Sequence, residues 1–306
     1  MCGLRIIIVN YNSGESLREF VDSLRTAFEN AEELSLTIEV VDNASSDDST
    51  AFLGEVSGDV QLRSLDKNLG FGAAANQALQ RQTEPWFIVT NADLRVPSSF
   101  FRQLTESLAD MPQHVGIVAP RLRYEDGTPQ PSIGLSPSLM GFLAGLLRSR
   151  VNRKYVSASA HRPGIVSRGW VTGSCLILRR ECWEAIGGFD EHFFLYYEDV
   201  DLCERVRAAG YLQCFDPRIE VVHRAPLDSR EVSPHLFPVI RYGQLRYFWI
   251  HRPHWEFGFL RALIQLLAWA GPLLERGGFL SRGVDWELVG ALPDRVRRGD
   301  ASPRLE

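Results

Sequence analysis

At 306 residues, with 45% hydrophobic and 23% charged residues, the chain has an ordinary globular composition, enough for one large or two smaller domains. A formal net charge of −5 and a pI near 5.9 exclude a global nucleic-acid-binding footprint. Five cysteines, an odd number with no C-x-x-C pair, exclude a disulfide or zinc framework and suit free thiols in a reducing compartment.

The opening apolar run ends at Val9, too short for a signal-peptide core. Residues 6–9 form a β-branched run suited to a strand buried on both faces. Asn10-Tyr11-Asn12-Ser13-Gly14 breaks it, and residues 15–26 take helical spacing through Leu17, Phe20, Val21 and Leu24. A second strand over 36–41 ends in the polar cluster 42–49, whose Ser and Asp residues predict the cap of another helix. Residues 60–65 predict a third strand, Asn68-Leu69-Gly70-Phe71-Gly72 a turn, and 73–79 a helix. The fourth strand, 86–90, ends in Asn91-Ala92-Asp93, and a helix over 100–108 and a fifth strand over 115–120 follow. This alternation predicts an α/β fold, with a mostly parallel sheet and helices on both faces. Ligands of such sheets bind beyond the carboxyl ends of the strands, so the clusters after strands one, two and four should gather at one edge.

Between residues 121 and 170 the period is lost, which reads as a long, partly ordered excursion. A strand over 173–178, a short helix over 181–186 and the turn Gly187-Gly188-Phe189-Asp190 come next, then a strand near 220–223. From about residue 231 aromatic and basic helices, 242–249 and 259–274, predict a C-terminal helical extension to a domain over 1–230. The charged tail from 294 is expected to be loose. The apolar stretches 139–147 and 263–274 read either as core helices or, with Arg148, Arg150, Arg252 and Arg261 near them, as a peripheral membrane contact.

The densest chemistry lies in Tyr196-Tyr197-Glu198-Asp199-Val200-Asp201-Leu202, three carboxylates within four residues at a helix start. On a helix, Asp199 falls over the inward face of Leu202, Cys203, Val206 and Ala209, whereas Asp201 points well away and Glu204 to solvent. Asp199 is therefore placed as a general base, although acids also favour a first helical turn for structural reasons. Gly70-Phe71-Gly72-Ala73-Ala74-Ala75 matches a relaxed dinucleotide fingerprint, but not on the first strand–helix turn where that fingerprint belongs. Asp42 can cap a helix or accept a pyrimidine imide N–H. Asp93 can ligate a divalent cation, with His223 either a core histidine or a second ligand.

In this order the pieces resemble the family 2 glycosyltransferases, nearest the bacterial rhamnosyltransferase-like subgroup of cell-surface polysaccharide assembly. The resemblance runs from residue 5 to about 225. It rests on Ile8-Val9-Asn10-Tyr11-Asn12-Ser13, Val40-Val41-Asp42-Asn43-Ala44-Ser45-Ser46-Asp47, the Asn68 turn with Asn76, and Asn91-Ala92-Asp93. It continues through Trp170-Val171-Thr172-Gly173-Ser174, Gly187-Gly188-Phe189-Asp190-Glu191 and Tyr197-Glu198-Asp199-Val200-Asp201-Leu202-Cys203.

The resemblance implies a Rossmann-like GT-A fold, a dTDP- or UDP-sugar donor, Mg²⁺ or Mn²⁺, inversion at the anomeric carbon, a saccharide or lipid-linked acceptor, and a cytoplasmic location. By position, Val9, Tyr11, Asp42, Asn68 and Asn91 would hold the nucleotide, and Asp93 and His223 the metal. Asp199 would be the base, and Trp170, Gly173, Ser174 and Glu198 would lie on the acceptor side. The chain departs from the common Asp-x-Asp pattern in having Asn91 at its first acid. A nicotinamide-dependent oxidoreductase, a nucleotidyltransferase and a non-catalytic carbohydrate-binding protein are the alternatives. The first leaves the Asp199 motif unused, the second lacks its phosphate loop near the first strand, and the intact acids at 42, 93 and 199 oppose the third.

Overall fold

A computed structural model describes residues 3–29, 31, 34–55, 60–79, 83–141, 163–224, 233–276 and 283–304. Strands β1 (Gly3–Asn10), β2 (Ser35–Asp42), β3 (Val60–Ser64) and β4 (Trp86–Asn91) lie side by side in the order β3-β2-β1-β4, all parallel. Ile6, Ile7 and Ile8 are buried because both faces of β1 are covered. Helix α1 (Glu15–Phe28) and helix α3 (Phe100–Ala109) contribute to one core, and α2 (Phe71–Ala78) to the core on the opposite face.

Beyond β4 the sheet continues through β10 (Cys175–Arg179), β6 (Val115–Arg123), β11 (Leu212–His223) and the short β5 (Leu94–Arg95), with β8 (Gly164–Val166) on β11. Six strands run one way and β10, β5 and β8 run the other. The sheet is thus mostly parallel, as predicted. The reversal at β10 was not predicted, because Cys175-Leu176-Ile177-Leu178 is a continuous apolar run that reads the same in either direction.

Since β1, β2 and β4 are parallel and in register, Asn10, Asp42 and Asn91 end at one edge. The predicted helix after Asp42 is replaced by a five-residue 3₁₀ turn, Ala51–Glu55. The would-be capping side chains bond across to the first loop instead. Gly14 donates its backbone N–H to Asp47 at 2.9 Å, Asn12 donates to Ser45 Oγ at 3.0 Å, and Ser46 donates to Asn12 Oδ1 at 2.7 Å.

The excursion contains two short paired strands, β7 (Ile133–Gly134) and β9 (Trp170–Val171). Most of the apolar stretch 139–147 lies outside the described residues. After β10 come α4 (Arg180–Ile186) and α5 (Glu198–Ala208), which carries the three carboxylates. The strand expected near 220–223 is longer, since β11 begins at Leu212.

Three helices close the chain: α6 (Leu236–His251), α7 (His254–Arg276) and α8 (Trp286–Arg298), packed around Tyr242, Phe248, Leu260, Ile264 and Val289. The described part of the tail expected to be loose, 294–304, is docked. Asp285 caps α8 by accepting from Leu288 N at 2.8 Å, and Ser302 is buried, donating to the His192 carbonyl at 3.1 Å. The charges misled because α8 also carries an apolar face, Trp286, Val289, Leu292 and Val296. Gly271 lets that face approach α7, since a Cβ there would meet the Trp286 ring at 2.3 Å.

Candidate active site

The strand ends open into a cleft of about 310 Å³ lined by Val9, Tyr11, Asn68, Asn91 and Asp93 among others. Five of the residues expected at the nucleotide and metal thus meet there. Asn12, Ser13 and Asn43, from the clusters expected at this edge, line it too, as do Ser16, Phe194 and Leu195, which were not predicted. The floor is set by Asn10, which is fully buried. Its amide donates to Asp42 Oδ1 at 2.9 Å, Ser45 Oγ at 3.1 Å and Ser49 Oγ at 2.9 Å. Asp42 is buried beneath the cleft, and its Oδ1 also accepts from Ser45 Oγ at 2.5 Å. Asn43 Nδ2 donates to Asn68 Oδ1 at 2.8 Å, which leaves the Asn68 NH₂ as that side chain's donor.

The glycines of the fingerprint-like turn serve close packing. Gly70 has φ 87°, and a Cβ there would stand 2.1 Å from the Phe194 carbonyl oxygen; Phe71 N–H donates to that same oxygen at 3.1 Å. The turn therefore holds the loop that leads into α5, an arrangement that no dinucleotide reading requires. All four non-glycine residues with positive φ among the described residues, Asn12, Ala44, Tyr196 and Tyr197, lie in the loops framing this region.

Asp93 Oδ1 is buried without a hydrogen-bond partner, and His223 Nε2 stands 3.3 Å from it. His223 Nδ1 lies 3.1 Å from the Gln130 side-chain oxygen, Oε1. An Nδ1–H donated to that oxygen leaves the Nε2 lone pair turned toward the carboxylate. Two electron-pair donors facing one another fit a divalent cation between them. A Mg²⁺-like ion commonly takes one or two protein ligands, with water and phosphate oxygens filling the remaining positions. Gln130 was missed because its role appears only once residues 93 positions apart meet.

Across β4, the Asn91 N–H and Thr90 Oγ1 both donate to the Ser174 carbonyl at 3.0 Å, tying the cleft to the loop before β10. From that loop Gly173 N–H donates to Asp199 Oδ2 at 2.9 Å, and Val200 N–H donates to Oδ1 at 2.8 Å. Each carboxylate oxygen is thus oriented by a backbone N–H. Trp170 packs its ring on Gly134 and donates from Nε1 to the Leu135 carbonyl at 3.2 Å.

The other acids of α5 differ from expectation. Asp201, placed well away from the inward face, is nonetheless 1% exposed, accepting from Arg205 Nε at 2.7 Å and standing 2.7 Å from His251 Nε2. Glu204 accepts from the Tyr247 hydroxyl and from Ser136 Oγ, both at 2.8 Å. Helix α6 covers a second side of α5, so more than one face of that helix is turned to protein. Glu198, expected on the acceptor side, is buried at 6% exposure with Oε2 unpartnered.

Burial, then the charges of Asp199 and Asp201, push the Glu198 carboxyl up to about 8. Its proton is retained in the folded state while the unfolded chain ionises, so stability falls as pH rises from the ordinary carboxylate range toward 8. Glu198→Gln should therefore raise Tm at pH 8 by at least about 2 °C, with the gain vanishing near pH 4. A gain independent of pH would show that ionisation of this group is not the cause.

The fold is similar to that of GT-A glycosyltransferases. The mannosyltransferase PcManGT from Pyrobaculum calidifontis, solved with GDP-Man and Mn²⁺, superposes with TM-score 0.50 at 18% identity, over 96% of this chain and 84% of that one. S. aureus TarS 1–349 gives TM-score 0.53 at 14% identity, over 97% and 92%. Residues 5–163 match Glycosyl transferase family 2. An N-acetylglucosaminyl-diphospho-decaprenol L-rhamnosyltransferase of Mycobacterium tuberculosis is 31% identical over 250 residues, 76% of this chain and 80% of its own length. The fold class is thus GT-A. The chain belongs to glycosyltransferase family 2 and is a hexosyltransferase of glycan assembly.

Proposed function

We propose that the chain transfers rhamnose or a similar hexose, with inversion, from a dTDP- or UDP-sugar to a lipid-linked saccharide at the cytoplasmic face of a membrane. The observation that carries this reading is the pair of differently held carboxylates. Asp93 faces His223 in the cleft, whereas Asp199 is fixed by two backbone N–H groups on the adjoining loop. The mycobacterial relative's decaprenol-linked substrate supports the acceptor class.

In this reading the nucleotide lies in the cleft, with its base against the 45%-exposed Tyr11 ring and its ribose near Asn68. Asp42 supports the base-binding loop from below. The sugar points toward Gly173 and Ser174, and Trp170 borders the acceptor. Asp199 takes the acceptor hydroxyl proton, and that oxygen forms a bond to the anomeric carbon. The bond to the diphosphate oxygen breaks on the opposite face, and the nucleoside diphosphate leaves with the electron pair. Asp93 and His223 would hold Mg²⁺ or Mn²⁺, which when bound supplies positive charge beside the diphosphate.

Thermal shift against a panel of nucleotide sugars tests the donor. A cognate donor at about 100 times its Kd adds roughly 2.7 kcal/mol. With Mn²⁺ present the shift should appear for one nucleotide class, and Asp93→Ala should lose the metal-dependent part. A shift unaltered by chelator and by Asp93→Ala would remove the metal role.

A further inference from the structure

Helix α7 breaks the rule for an outer helix. Its inner side packs on α6 and α8 through Phe257, Leu260, Ile264 and Gly271, yet its outer side is apolar as well. Trp255, Phe259, Ala262, Leu266, Trp269 and Leu273 recur at alternating spacings of four and three residues and form one exposed stripe. Trp269 is 73% exposed, Trp255 67%, Leu273 60% and Leu266 59%. At about 1.5 Å per residue the stripe is roughly 27 Å long. By length and composition this helix passes for a membrane span, although only 28% of its apolar window is buried.

Charge is arranged to one side. The helix's two acids are withdrawn: Glu256 is buried against Arg252, and the half-buried Glu275 accepts from Val284 N–H. Its exposed positions include no carboxylate, and their only ionisable groups are His254 and Arg276, at the two ends. Arg252–Glu256 and the contacts to α6 and α8 hold the inner side against protein, so the helix lies on the molecule and does not thread a bilayer.

We infer that the outer face of α7 is the surface by which the protein lies on an anionic lipid membrane, with Trp255 and Trp269 seated among the headgroups. The inference rests on the lipid-linked acceptor proposed above and names the surface that brings the enzyme to it. Helix α6 joins α7 to α5, so the base stands one helical layer from the membrane-facing helix. A second copy is the competing occupant, since the stripe also has coiled-coil spacing. The flanking positions oppose it: Gly258, Gln265 and Pro272 on one side and Glu256, Leu263 and Ala270 on the other offer no cross-helix ion pairs to fix a partner. A lipid surface needs no such register and favours this pattern of tryptophan, aliphatic and terminal cation.

The test is sedimentation of the full chain with vesicles, without donor or acceptor. Binding to phosphatidylcholine mixed with phosphatidylglycerol is expected, with weaker binding to phosphatidylcholine alone. The double variant Leu266→Glu, Trp269→Glu should lower partitioning roughly 10- to 100-fold. Both side chains stand in solvent, so an unchanged thermal transition and donor-induced shift will show an intact fold and cleft. Equal sedimentation of wild type and variant overturns the inference. So does a wild-type dimer that ignores vesicles and becomes a monomer in the variant. Failure of the donor thermal shift with vesicle binding intact would instead strike the transferase reading.

Discussion

Asp199→Asn is expected to lower kcat by about 10²–10⁴-fold while leaving donor affinity within a factor of about two. The amide retains the shape and can still accept from Gly173 N–H through its oxygen, so the loop between β9 and β10 keeps its anchor. What disappears is the carboxylate that receives the acceptor proton. Donor binding should survive because the cleft is built from the ends of β1, β2 and β4 and from the Asn68 turn, none of which uses Asp199. Steady-state kinetics with the nucleotide-sugar donor, beside calorimetric titration of the nucleoside diphosphate, separates the two. A variant with near-normal kcat would remove Asp199 as base. Weakened nucleotide binding at unchanged kcat would place it with the donor.

The strand-end convergence was legible because β-branched runs and polar breaks alternate, and parallel topology alone brings Asn10, Asp42 and Asn91 together. Asp93 and His223 could be chosen as ends of buried strands, and Asp199 by its position over an apolar helical face. The pattern could not show which partners those residues would meet. Asn10, the hydrogen-bonding hub of the floor, looked like one turn residue among several. Gln130 fixes His223 from a stretch without periodicity, and the two glycines of the fingerprint answer to Phe189 and Phe194, more than 100 positions away. Local patterning reports which face of a helix is apolar, but not whether a second element covers the other face. For that reason Asp201 and Glu204 were assigned outward, and the docked tail was taken for a loose one.

That covering layer sets the last expectation, that Asp201→Ala destabilises the protein by about 3 kcal/mol. Asp201 satisfies Arg205 with one oxygen and His251 with the other, and is itself 1% exposed. Its removal leaves two polar groups facing a gap between α5 and α6. Arg205 keeps the carbonyls of Ile186 and Gly188, which limits the loss on that side, whereas His251 loses its Asp201 contact. The consequence should reach catalysis, because the same junction aims the start of α5. Arg246 of α6 donates to Asp190 Oδ2 from Nε at 3.0 Å and from Nη2 at 2.7 Å, and Gly243 packs beneath the left-handed pair Tyr196 and Tyr197. Asp199 follows that pair by two residues, and misplacement of a reacting group by about 1 Å can cost on the order of 100-fold in rate. Urea unfolding should therefore show a lower midpoint for Asp201→Ala, with kcat reduced and nucleotide affinity kept. An unchanged midpoint would mean that the ion cluster is balanced by the cost of burying it, and that shape alone holds α6 over the base.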